Sequence, residues 1–160
     1  MHKKNDSMKN GLVSDYTIWG SFADTMEYIA RARTIELTRY GLTREQSHVL
    51  RIMYEAGRPL TINEIATHVL RKHNSVSIII RRMERNKLVQ RVKTYDNRQY
   101  QITLTPKGRE LFEKMPTNSI TMAFSALSDE EKETLLSYLK KLEDKVRGML
   151  GLDYRMPFLP

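Results

Sequence analysis

Two clusters of residues in this chain carry chemistry that a simple folded core would not require. The first is Asn74, Ser75, Ser77, Ile78, Arg81, Arg82 and Arg85. Wound as a helix, the segment places Val76, Ile79, Ile80 and Met83 on one apolar stripe. Asn74, Ser77, Ile78, Arg81 and Arg85 fall on another, with Ser75 and Arg82 beside it. Small polar side chains at the start of such a helix can approach phosphates and base edges, and arginine forks match guanine edges or phosphates. Ile78, apolar on the outer stripe, suits a thymine methyl group. The second cluster is Lys93, Asp96, Asn97 and Arg98, within a charged turn between two extended runs. A hairpin tip buries little, so Arg98 is either solvated or reaching for a partner. Taken alone, the helix is more readily read as an ordinary amphipathic one with a solvated basic face, since charged surface helices are common.

The surrounding elements narrow the choice. Ile18, Phe22, Met26 and Ile29 have helical spacing within about 16–40, and Gly41 is a suitable stop. Thr43 with Gln46, Thr61 with Glu64 and Ser128 with Glu131 each have capping-box spacing and predict helix starts. Gly57-Arg58-Pro59 ends the second helix, and a short third one turns Ile62, Ile65, Ala66 and Val69 inward. The fourth, two-faced helix is expected over about 75–85. Strands are expected over Val89–Tyr95 and Arg98–Thr105, with Tyr100, Ile102 and Leu104 alternating against polar neighbours. Pro106 suits the first turn of the next helix, and Pro116 predicts a kink or break. Leu135, Leu139, Leu142, Val146 and Met149 then recur as a coiled-coil-like seam. A short capped helix, a two-faced helix and a basic hairpin, in that order, make a winged helix-turn-helix. The expected fold is therefore mainly α with a small β-hairpin. A DNA-binding lobe spans 43–105, helical dimerisation segments span 11–42 and 106–150, and an apolar tail spans 151–160.

Charge distribution points the same way. Residues 43–105 hold 12 Lys and Arg against 5 Asp and Glu, whereas residues 1–42 hold 6 against 5 and residues 106–160 hold 9 against 9. Nearly all of the net +8 therefore sits in the middle, which fits an anionic partner for that lobe. With 40% hydrophobic and 29% charged residues, the composition is that of a soluble folded protein. The longest aliphatic run, Ile78-Ile79-Ile80, is far short of a membrane span, and no signal peptide is visible. The absence of cysteine removes disulfides and thiolate metal sites. A cytoplasmic protein without membrane partners is expected.

Several short pieces resemble the MarR family of multiple-antibiotic-resistance-type regulators. They are Leu42-Thr43-Arg44-Glu45-Gln46, Ile65-Ala66, Leu88-Val89-Gln90-Arg91, Asp96-Asn97-Arg98 and Leu104-Thr105-Pro106-Lys107-Gly108. The resemblance covers roughly residues 16–150. It implies a homodimeric transcription regulator, more often a repressor, whose terminal helices interlock and whose recognition helix spans 75–85. It also implies a wing arginine, Arg98, in the minor groove, and an aspartate, Asp96, that orients nearby arginines. Lys87 stands where the family usually has glycine, so the helix is expected to end differently, with Asn86 a candidate for a left-handed conformation.

Other features offer rival chemistry. Glu64 and His68 are four apart, but no third metal ligand has matching spacing. There is no serine–histidine–acid motif and no glycine-rich phosphate loop, so neither catalysis nor a cofactor is expected. Trp19, Phe22, Tyr28 and Tyr54 are candidates for an effector pocket, with core or dimer interface as the plainer reading; Trp19, Phe22 and Tyr54 are the residues named for it. The function expected is sequence-specific binding of double-stranded DNA at a pseudo-palindromic operator by a homodimer, with release by a small-molecule effector. The alternative is a winged-helix protein-interaction module that does not read DNA.

Overall fold

A computed structural model describes residues 13–93 and 100–152. Seven helices and one hairpin follow in chain order: α1 (Asp15–Thr38), α2 (Arg44–Ala56), α3 (Ile62–His68), α4 (His73–Arg85), β1 (Val89–Lys93), β2 (Tyr100–Leu104), α5 (Pro106–Lys114), α6 (Asn118–Phe124) and α7 (Asp129–Met149).

The capping residues set these boundaries. Thr43, Thr61 and Ser128 accept from the amides of Gln46, Glu64 and Glu131, and those side chains return a bond to the cap amide, giving three complete capping boxes. Each cap contributes about 1 kcal/mol by occupying amides that a helix start leaves unpaired. Thr105 caps α5 with Pro106 in its first turn. Pro116 forces Met115 into an extended conformation, so α5 and α6 are separate helices rather than one bent one.

The core lies in the lobe made by α2, α3, α4 and the hairpin. Val49, Leu50 and Ile52 of α2, Ile65 of α3, Val76, Ile80 and Met83 of α4, and Ile102 of β2 are all fully buried. Burying a side chain of this size contributes about 1.5–3 kcal/mol, so this cluster dominates the stability of the lobe. β1 and β2 pair antiparallel with Val89 opposite Leu104 and Lys93 opposite Tyr100. Leu60, just before α3, exchanges both backbone bonds with Ile102 at 2.9 and 2.7 Å, which ties the α2–α3 connection to the hairpin. In β2, Ile102 is buried and Leu104 half-buried, but Tyr100 is exposed, because it sits at the end of the ladder beyond the core.

The flanking helices are different. α1 buries only Leu37, and α7 buries nothing. Along the α7 seam, Leu135 and Leu139 are half-buried, while Leu142, Val146 and Met149 are exposed. No helix among the described residues is long and apolar enough to cross a membrane.

Candidate nucleic-acid interface

The start of α4 precedes the expected one. The helix begins at His73 rather than near Ser75, with Lys72 as its N-cap. Lysine offers no acceptor, and no side chain bonds to the first-turn amides, so the sequence carries no signal for this start. The consequence is that the first-turn amides of His73, Asn74 and Ser75 receive no side-chain cap, at an exposed helix N-terminus flanked by Arg71 and Lys72. Such an end is favourable for anionic groups.

Along α4 the two stripes separate as the periodicity requires. Val76, Ile80 and Met83 are buried and Ile79 half-buried. Asn74, Ser75, Ile78, Arg81, Arg82 and Arg85 are exposed, and Ser77 is half-buried beside them. Ile78 is 49% exposed, an apolar side chain left in water amid polar ones. The charges on this lobe are not equivalent. Arg91 of β1 donates through Nε to Glu84 at 3.0 and 3.2 Å, and Arg58 pairs with Glu64 at 2.7 Å. Arg81, Arg82 and Arg85 have no ion pair among the described residues. The first two arginines are held by carboxylates; among the described residues, the last three have no carboxylate partner and present their forks on the outer face of one helix.

The wing is described up to its root. Lys93 is exposed at the end of β1, and Tyr100 faces it across the ladder. Asp96, Asn97 and Arg98 lie outside the described residues.

The helix exit corrects one expectation. Asn86 has φ −83, and Lys87 is the left-handed residue, at φ 58. The Lys87 amide bonds to the Glu84 carbonyl and the Leu88 amide to the Met83 carbonyl, each at 2.9 Å, which is a Schellman arrangement with lysine where glycine is usual. α3 ends in the same way at Leu70, φ 52, with Leu70 N–H to Thr67 O and Arg71 N–H to Ala66 O. Among the described residues, the two left-handed non-glycine positions therefore bracket α4.

A cleft of about 730 Å³ opens between α1, α2 and the end of α5. Of the residues named for a pocket, Tyr54 lines it. Trp19 and Phe22 are not among its lining residues and lie exposed farther along α1, at 62% and 48%. Sequence reasoning missed Arg44 and His48, whose place in the cleft follows from helix packing rather than from any local motif. Tyr54 is fixed in place: its ring centroid lies 4.7 Å from that of Phe112, and its hydroxyl donates to Glu113 at 3.1 Å. Arg51 Nη2 lies 3.1 Å from His48 Nε2. An arginine can only donate, so that ring nitrogen is the acceptor. Burial, with Arg51 and His68 nearby, pushes His48 down from 6.5 to about 4, and it is neutral at physiological pH. Burial likewise lowers His68, whose ring meets that of His48 edge-on with centroids 6.1 Å apart. Glu64, once a conceivable ligand beside His68, caps α3 and pairs with Arg58.

A two-faced helix behind a short capped helix, followed by a hairpin rooted on the core, defines a winged-helix protein. The chain belongs to the MarR family. The family's sequence model matches residues 40–99. The chain is 30% identical over 124 residues to the HTH-type transcriptional regulator YkoM of Bacillus subtilis, covering 75% of this chain and 80% of YkoM. It is similar to S. aureus MepR in its DNA complex, with TM-score 0.68 and 26% identity over 83% of this chain and 96% of MepR. The organohalide-sensing regulator RdhR shares the fold over 99% of both chains, with TM-score 0.79 and 22% identity. Family and relatives are transcriptional regulators rather than enzymes, and this chain is a transcriptional regulator with a DNA-binding fold.

Proposed function

We propose that the chain acts as a homodimeric repressor that grips a pseudo-palindromic operator, with one α4 in each of two major-groove half-sites about one helical turn apart. The observation that carries this reading is the outer face of α4, where Arg81, Arg82 and Arg85 stand exposed and unpaired among the described residues beside Asn74, Ser75 and Ile78. In this reading Ser77 borders the base edges, Lys93 contacts the backbone, Arg98 enters the minor groove and Asp96 and Asn97 shape the wing tip around it. The DNA-bound MepR relative supports the same use of the fold.

Dimerisation is supported by the apolar surface that one chain leaves uncovered. Tyr28 of α1 is 73% exposed and Met149 of α7 is 74% exposed, and neither helix has a core of its own. The terminal segments 11–42 and 106–150 would form this interface, with the 43–105 lobe reading DNA and the 151–160 tail docking on the partner. A small-molecule effector would enter the cleft at Tyr54 and release the operator by changing the spacing of the two recognition helices, a shift of population rather than chemistry.

The test combines light scattering with selection of bound duplexes from random-sequence DNA. The expected result is a dimer enriching an inverted repeat. A monomer at micromolar concentration, or no enriched sequence, would leave the interaction-module reading as the better one.

A further inference from the structure

The exit of α4 is bonded to the start of α5 through three consecutive carbonyls. Lys107 Nζ donates to the Asn86 carbonyl at 3.0 Å, Thr105 Oγ1 donates to the Lys87 carbonyl at 2.6 Å, and the Thr105 amide donates to the Leu88 carbonyl at 3.1 Å. Thr105 Oγ1 also accepts from the Gly108 amide at 3.0 Å, so one hydroxyl caps α5 and holds the end of α4. The backbones approach so closely that a Cβ on Gly108 would lie 2.0 Å from the Leu88 oxygen. This geometry needs glycine for space rather than for φ.

We infer that Thr105 and Lys107 are positioning residues for DNA recognition: they fix the direction of α4 and so determine how well Arg81 and Arg85 find base edges, without touching DNA themselves. The inference rests on α4 being the recognition helix. Base readout depends on forks placed to within a fraction of an ångström, whereas phosphate attraction tolerates a displaced helix. The left-handed Lys87 makes the clamp necessary, because a residue with a Cβ holds this conformation only when its surroundings impose it. Lys107 is exposed and cationic, so its plainer reading is a phosphate contact. Thr105 is half-buried, and its plainer reading is a helix cap alone.

The readout that separates these readings is the ratio of affinities for a duplex selected from random-sequence DNA and a scrambled duplex of the same composition. Full-length Thr105→Val, Thr105→Ser and Lys107→Met are compared with Arg81→Ala as control, well below each variant's melting temperature. Positioning predicts that Thr105→Val and Lys107→Met lower the ratio about tenfold, leave scrambled-duplex affinity and salt slope unchanged, and that Thr105→Ser restores the ratio. Were Lys107→Met instead to weaken both duplexes equally and reduce the salt slope by about one, Lys107 would be a phosphate contact and the inference overturned. It also fails if Thr105→Val lowers only the melting temperature. Should Arg81→Ala leave the ratio unchanged as well, the fault would lie in the assignment of α4 itself.

Discussion

Glu36 on α1 caps the first turn of α6 by bonding to Ser119, 83 residues later. Its carboxylate accepts from the Ser119 amide at 3.3 Å and from the Ser119 hydroxyl, while Thr117, the N-cap of α6, makes no side-chain cap bond. Arg33 closes the network, donating to Glu36 at 2.6 Å and to the Pro116 carbonyl at 2.5 Å. The Arg33 and Glu36 side chains are 12% and 11% exposed, so this is a nearly buried ion pair. It fastens α6 to α1 just after the break at Pro116.

Removing one partner leaves a charge unpaired in a partly buried site. Arg33→Met should destabilise the chain by about 1–3 kcal/mol. Replacing both members with apolar residues should cost less than the sum of the two single changes, since the double change leaves no charge unpaired. Burial alone would raise the Glu36 pKa, but the bonds from Ser119 and Arg33 outweigh it and hold it below 4.5. Its contribution is therefore present above the unfolded value and lost as pH falls through the lowered one. Urea midpoints of the single and double variants check the first point, and acid titration of Glu36→Gln checks the second.

Leu70 gives a prediction of opposite sign. A left-handed leucine costs roughly 1–2 kcal/mol, and the entropy that glycine adds to the unfolded chain takes back about 0.4–1. Leu70→Gly should thus stabilise by about 0.5–1 kcal/mol and raise the melting temperature by a few degrees. Lys87→Gly should gain less, because it removes a cation at a helix C-terminus worth about 0.3–1 kcal/mol. Calorimetry of the two variants would show the order; a fall in stability for Leu70→Gly would mean that its exposed side chain makes a contact unseen in one chain.

His48 predicts a pH dependence above the carboxylate range. Its folded pKa, about 4, lies below its ordinary 6.5, so the unfolded chain binds the proton first and stability drops as pH falls through 6.5. Allowing for solvent at the cleft, the loss is roughly 1–2 kcal/mol. His48→Gln should flatten unfolding free energy between about pH 7 and about pH 5, where carboxylates contribute little. An unchanged slope would assign the dependence to other groups, with His68 next in line.

The cleft can be filled without a known ligand. The chain has no cysteine, so Ala30→Cys provides a single labelling site on the cleft wall. Modification with a pyrene maleimide should weaken operator binding at least severalfold relative to the unlabelled variant. Equal affinities before and after labelling would detach the cleft from DNA binding.

Legibility followed the range of the interactions. Helix starts at Thr43, Thr61, Ser128 and Pro106 were readable because a cap lies within four residues of what it caps. The two faces of α4 were readable because burial there follows helical period. The start of α4 was not, since Lys72 caps nothing, and the left-handed residue fell at Lys87 rather than Asn86 because the Met83–Leu88 bond fixes the register. Local sequence could not show Glu36 capping α6, Leu60 pairing with Ile102, or His48 entering the cleft, since each depends on how distant elements pack.

The central claim, that the outer face of α4 and the wing read duplex DNA, is tested most directly by a salt titration on the selected operator. The wild-type chain should lose affinity steeply, with a slope of about −0.9 for each phosphate neutralised. Arg81→Ala should cost about 1–3 kcal/mol and relax base preference, and Arg98→Ala should weaken binding with less change in major-groove preference. Weak binding that stays flat across the titration and is indifferent to Arg81 and Arg98 would contradict the account.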